Sequence, residues 1–125
     1  MAGNPVVWFE IYVKDMARSK AFYESVLQVK LEPLPAPMPG AEFWAFPGSP
    51  EAPGAGGTLV HMEGVPCGGS GTLVYFHCED CSAEESRVVA AGGTIHRSKM
   101  PIGSFGHIVL ASDPEGNLVG FHSMR

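Results

Sequence analysis

Two stretches of the chain alternate between apolar and polar positions with a period of two. Phe9, Ile11 and Val13 fall on one side of the first, and Trp8, Glu10 and Tyr12 on the other. From Gly71 to Cys78 the same pattern sets Val74, Phe76 and Cys78 against Leu73, Tyr75 and His77. Such alternation predicts strands whose two faces meet different surroundings. Shorter strands are expected near 29–34, 42–46, 57–62, 94–97, 106–111 and 117–122, with a turn at Asp113-Pro114-Glu115-Gly116-Asn117. Two segments carry a helical period instead. Asp15 is a suitable N-cap for 16–27, where Met16, Phe22, Tyr23, Val26 and Leu27 supply an apolar face. Ser82-Ala83-Glu84-Glu85 reads as a capping box that opens a helix to about Ala91, stopped by Gly92-Gly93.

The order strand, helix, three strands therefore occurs twice, which is an internal repeat. Trp8, Glu10, Tyr12 and Asp15 align with Leu73, Tyr75, His77 and Asp80. Near the unit ends, Gly57, Leu59, Val60 and His61 align with Gly116, Leu118, Val119 and Gly120. The expected fold is α+β: two tandem βαβββ modules, about 5–63 and 71–123, joined by a linker at about 64–70 within a single domain of 1–125. Each module would cover one sheet face with its helix, leaving the other face to a half-barrel around a central cavity, the kind of concave place ligands prefer.

Charge and composition narrow the function. Eight Lys and Arg against 13 Asp and Glu give a net charge of −5, with the excess acid shared by both halves. Without a basic stripe, the phosphate attraction that drives nucleic-acid binding is missing, and a polybasic membrane-surface role fails for the same reason. No apolar run reaches the length of a transmembrane helix, and Glu10 interrupts the first one too early for a signal peptide. Three cysteines argue against a disulfide framework and for a reducing compartment, so a soluble, cytoplasmic protein is expected.

The segment Phe9-Glu10-Ile11-Tyr12-Val13-Lys14-Asp15-Met16-Ala17-Arg18-Ser19-Lys20-Ala21-Phe22-Tyr23 resembles the opening of the vicinal oxygen chelate superfamily, which includes glyoxalase I, bleomycin-resistance proteins and extradiol dioxygenases. Gly71-Thr72-Leu73-Val74-Tyr75-Phe76, Ala91-Gly92-Gly93 and the run from Asp113 to Ser123 resemble its second half. The resemblance implies paired βαβββ modules, a homodimer, and a divalent metal in the cavity of the family's enzymes. It places the metal-ligand positions at Trp8, His61, Leu73 (or Thr72) and Gly120. Of these side chains only His61 can bind a metal, so no cofactor and no metal site are expected, a displaced divalent site being the minor alternative.

Strand parity puts Glu10, Tyr12, His61, Glu63, Tyr75, His77 and His122 on the cavity side. Inward-facing ionisable groups are costly unless paired, so their clustering suggests a site. The expected catalytic residues are His61, His77 and Glu10, with an imidazole transferring protons and Glu10 orienting it. Trp8, Tyr12, Tyr75 and His122 are the expected substrate-binding residues, the indole being suited to stacking on a flat ligand. These residues are equally consistent with a small metabolite handled by a glyoxalase-like lyase or isomerase and with a drug-sequestering protein of the bleomycin-resistance type that does no chemistry. A water-filled polar cavity accounts for the same pattern. Cys78-Glu79-Asp80-Cys81 has the spacing of a redox dithiol, but Cys78 continues the apolar face of its strand and the two residues between are carboxylates, so Cys78 is expected to be a buried small hydrophobe.

Overall fold

The computed structural model describes residues 3–68, 71–114 and 116–125. Gly69 and Ser70 of the expected linker and Glu115 of the expected turn lie outside the described residues. The chain divides into two compact units, Trp8–Leu73 and Val74–Arg125, the second joined by the N-terminal segment that ends at Val7. That segment belongs there because the His77 amide donates to the Pro5 carbonyl.

In the first unit, β1 (Val6–Tyr12) leads into α1 (Met16–Leu27), followed by β2 (Glu32–Leu34), β3 (Ala41–Ala45) and β4 (Gly56–Met62). The strands lie in the order β2-β3-β4-β1. β1 and β4 are parallel, with Glu10 beside Thr58 and Tyr12 beside Val60, and the other neighbours are antiparallel. α1 starts where the Asp15 carboxylate accepts from the Arg18 amide. It stops at Gln28, whose left-handed backbone (φ 54°) lets its amide reach the Glu24 carbonyl. Glu24 then accepts from the Leu31 amide and anchors the exit. The core between α1 and the sheet is Met16, Leu31 and Leu59, with Ile11, Val13, Tyr23, Val29, Trp44 and Phe46 packed on it. Each fully buried aliphatic chain of this kind stabilises the fold by about 1.5–3 kcal/mol. The apolar face expected on α1 is only partly used: Phe22, Val26 and Leu27 are exposed, because the helix rests on the sheet through Met16 and Tyr23.

The second unit repeats the plan with β5 (Thr72–His77), α2 (Cys81–Val88), β6 (Thr94–Pro101), β7 (His107–Ser112) and β8 (Leu118–Ser123), one turn of 3-10 helix at Gly103–Phe105 preceding β7. Its strand order is β5-β8-β7-β6, with β5 and β8 parallel and Tyr75, Phe76 and His77 beside Gly120, Phe121 and His122. α2 is shorter than expected and is capped differently. Asp80, not Ser82, is the N-cap; it accepts from the amide and hydroxyl of Ser82. Glu85 does not close a capping box, since its carboxylate accepts from the Lys99 amide on β6. Cys78, Cys81 and Val109 form the core here, covered by Ile95 and Phe121. Among the described residues, two α-helices and eight strands in two βαβββ units make the α+β fold expected from the repeat.

Candidate functional site

In the first unit, the parallel register of β1 and β4 decides which side chains share a face. Trp8, Glu10 and Tyr12 stand with Gly56, Thr58 and Val60, whereas Phe9, Ile11 and Val13 stand with Gly57, Leu59 and His61. Leu59 and Ile11 belong to the core under α1, so the Glu10 row is the face turned away from the helix. β3 extends it: Phe43 is the register neighbour of Val60 and is buried, while Trp44 goes with Leu59 to the helix side.

Glu10 is the centre of this face. It is buried, and its two oxygens accept from its neighbours on the strand, 2.7 Å from the Tyr12 hydroxyl and 3.4 Å from the Trp8 indole nitrogen. The first is a tight bond; the second is longer than a well-formed one. Burial holds the Tyr12 phenol above the usual tyrosine range, and the Glu10 charge and hydrogen bond push it the same way. Tyr12 is therefore a permanent donor at neutral pH. The edge of the Trp8 ring lies against Gly56: a Cβ there would come within 2.9 Å of one ring atom and 3.1 Å of a second.

Thr58, the direct neighbour of Glu10 on β4, was not among the residues the sequence picked out. It is fully buried, and its hydroxyl has no hydrogen-bond partner among the described residues. A threonine in a strand reads as an ordinary β-former, and only its pairing with Glu10 gives it significance.

His61 is a correction. Aligning the two modules through their glycines matched His61 with Gly120 and put it on the cavity side. The registers Glu10 with Thr58 and Tyr75 with Gly120 match Gly120 with Thr58 instead. His61 consequently stands on the α1 side, where its Nδ1 donates to the Val13 carbonyl at 3.1 Å. It lines an open hollow of about 730 Å³ with Lys14, Asp15, Arg18 and Glu42 at the start of α1. Glu63 is exposed just beyond the end of β4. Neither residue joins the Glu10 row.

In the second unit, Tyr75, His77 and His122 share the face turned away from α2, since Phe76 and Phe121 alternate with them and Phe121 packs on the α2 core. Tyr75 is buried, and its ring covers Gly120, where a Cβ would meet it at 2.5 Å. His77 is exposed. Nε2 of its neighbour His122 donates to the Phe105 carbonyl. The Cys78 thiol is pushed up to about 12, by burial first and then by the Glu84 carboxylate. That is the opposite of what a redox dithiol needs.

The positions assigned to metal ligands do not fit a divalent cation. Trp8 offers no lone pair, Leu73 is apolar, the Tyr75 ring fills the space a side chain at 120 would need, and His61 faces α1. Among the described residues, no three or more His, Cys, Asp and Glu side chains come together to hold a metal ion. No helix among them is long and apolar enough to cross a membrane.

Comparison with known proteins places this geometry. A family model described as Glyoxalase/Bleomycin resistance protein/Dioxygenase superfamily matches residues 6–121. No protein of curated function matches the chain significantly. Among solved structures, a hypothetical protein from Bacillus halodurans C-125 is 15% identical with a TM-score of 0.76, over 99% of this chain and 96% of that one. The methylmalonyl-CoA epimerase of Streptomyces coelicolor, in complex with 2-nitronate-propionyl-CoA, is 16% identical with a TM-score of 0.69, over 96% of each chain. An uncharacterized protein from Methanosarcina mazei is 13% identical with a TM-score of 0.61, over 94% of this chain and 92% of that one. At such identities the likeness is one of fold.

Proposed function

Because the chain belongs to the glyoxalase/bleomycin resistance protein/dioxygenase superfamily, we propose that it binds a small organic molecule on the face of β1 turned away from α1, with Glu10 as the fixed polar anchor. The observation that carries this reading is a buried carboxylate set between an indole and a phenol that both donate to it. A buried carboxyl group among apolar neighbours is expensive to keep unless it is hydrogen-bonded or serves recognition or chemistry. Val60 and Phe43, both buried, supply the apolar floor beside it.

Two donors already on the carboxylate favour Glu10 as an acceptor that orients a ligand over a mobile base that shuttles protons. Sequestration without chemistry is therefore the first reading. Lyase or isomerase chemistry by an acid–base residue is the second. His61 drops out of both, since it lies on the other side of its sheet.

The test uses intrinsic fluorescence. Trp8 and Trp44 are the two tryptophans, so Trp44→Phe leaves Trp8 as the reporter. Titration with a panel of small aromatic and carbonyl compounds should shift Trp8 emission saturably for some members, and Glu10→Gln should weaken those by roughly tenfold. If every ligand found by thermal shift binds the Glu10→Gln and Trp8→Phe variants as well as it binds the parent, the site is elsewhere and the reading fails.

A further inference from the structure

The unpartnered hydroxyl of Thr58 narrows the class of ligand, and the inference rests on the β1 face being the binding face. Thr58 has no exposed surface, and Oγ1 has no hydrogen-bond partner among the described residues. Buried polar atoms in folded proteins are nearly always satisfied, so an exception calls for a missing partner. The hydroxyl stands on the row that carries Glu10, Trp8 and Tyr12, and Glu10 is its direct neighbour across the parallel pair. A hydroxyl donor and a carboxyl acceptor therefore stand on one face of adjacent strands, whose backbones run about 4.8 Å apart.

We propose that Thr58 and Glu10 together recognise the edge of a planar amide, the Thr58 hydroxyl donating to its carbonyl oxygen and Glu10 accepting from its N–H, with the Trp8 ring moving off Gly56 to admit it. A ketone leaves Glu10 without a new donor. A carboxylate brings no N–H to Glu10, and an ammonium group leaves the Thr58 proton unplaced. An alcohol offers a single atom where the pair presents two groups side by side. The long 3.4 Å contact from the Trp8 nitrogen to Glu10 Oε2 is the one that an incoming N–H replaces at lower cost than the 2.7 Å bond from Tyr12. Trp8 is the side chain that gives way in this proposal, since it is half-buried and its ring edge lies against Gly56, two residues from Thr58 on the same face.

The experiment uses the full chain carrying Trp44→Phe and five probes of one shape: benzamide, acetophenone, benzoate, benzylamine and benzyl alcohol. Benzamide should bind most tightly by Trp8 fluorescence. Thr58→Val should weaken it by about tenfold, while Thr58→Ser, which keeps the hydroxyl, should retain the preference. Without ligand, Thr58→Val should melt at the same temperature as the parent or higher, because it removes an unpaired polar atom and keeps the shape. A clear fall in its melting temperature means the hydroxyl is already bonded, to an internal water for example, and overturns the inference. Equal binding of acetophenone or benzyl alcohol overturns it too. In that case Trp8- and Glu10-dependent binding of any probe leaves the broader proposal standing, whereas loss of all such dependence removes both.

Discussion

A side chain added at Gly120 must compete with the ring of Tyr75 for the same space. A Cβ built there lies 2.5 Å from two atoms of that ring and 3.0 Å from a third, where carbon atoms in contact prefer about 3.5–4.0 Å. The ring would have to retreat by about 1 Å, and Tyr75 is only 6% exposed, so its other side is already packed. Overpacking of this kind costs about 1–3 kcal/mol. Alanine in a strand recovers about 0.5–1 kcal/mol relative to glycine through the unfolded chain. Gly120→Ala should therefore lower stability by about 1–2 kcal/mol, seen as a lower urea midpoint at unchanged slope and a melting temperature several degrees lower. Tyr75→Leu shortens the obstructing side chain, and in that background Gly120→Ala should become neutral or stabilising. The double-mutant cycle isolates the coupling even though Tyr75→Leu carries its own cost. A stabilising Gly120→Ala in the parent, or an equal cost in both backgrounds, would refute the claim that the ring occupies this space.

Two further expectations concern the charged and sulfur groups around α2. Lys99 and Ser82 hold the Asp80 carboxyl well below the usual carboxylate range, so its contribution is present above about pH 4 and is lost as pH falls toward its lowered folded value. Acid denaturation should therefore be steeper for the parent than for Asp80→Asn below pH 4, with the two curves parallel above pH 5; identical acid limbs refute this. Cys67 is exposed while Cys78 and Cys81 are buried, and the Cys78 thiol is pushed up to about 12. One thiol per folded chain should react quickly with a disulfide reagent at pH 8 and three after denaturation, and two fast thiols in the folded protein would contradict the burial.

What could be read from the sequence was local. The alternation in β1 and β5 gave the right faces for Glu10, Tyr12, Tyr75 and His77, because side chains on one strand alternate whatever the strand pairs with. Asp15 gave the start of α1 because a cap is a contact over three residues. His61 failed because its face depends on how β4 registers against β1, a pairing across 48 residues that no local pattern encodes, and a shift of one residue inverts every side chain. α2 failed at its cap for a similar reason: Glu85 is drawn away by Lys99 on β6. Thr58 passed unnoticed because it matters only through the same long-range register.

The same register explains why an aromatic ring beside a glycine recurs on the parallel pairs. The Trp8 ring edge lies against Gly56 across β1 and β4, and the Tyr75 ring covers Gly120 across β5 and β8. A glycine in a strand interior leaves a gap in the pleated surface, and a ring from the neighbouring strand can lie flat only where that gap exists. A ligating carboxylate and such a ring are thus mutually exclusive at position 120, so placing Glu there alone should displace Tyr75 before it captures any ion. At Gly56 the exclusion works differently, because Trp8 is half-buried and its indole nitrogen makes a long contact to Glu10. A ring held mainly by its fit over a glycine can swing away and return. This makes Trp8, more than Tyr75, the side chain whose movement should report a ligand arriving at Glu10.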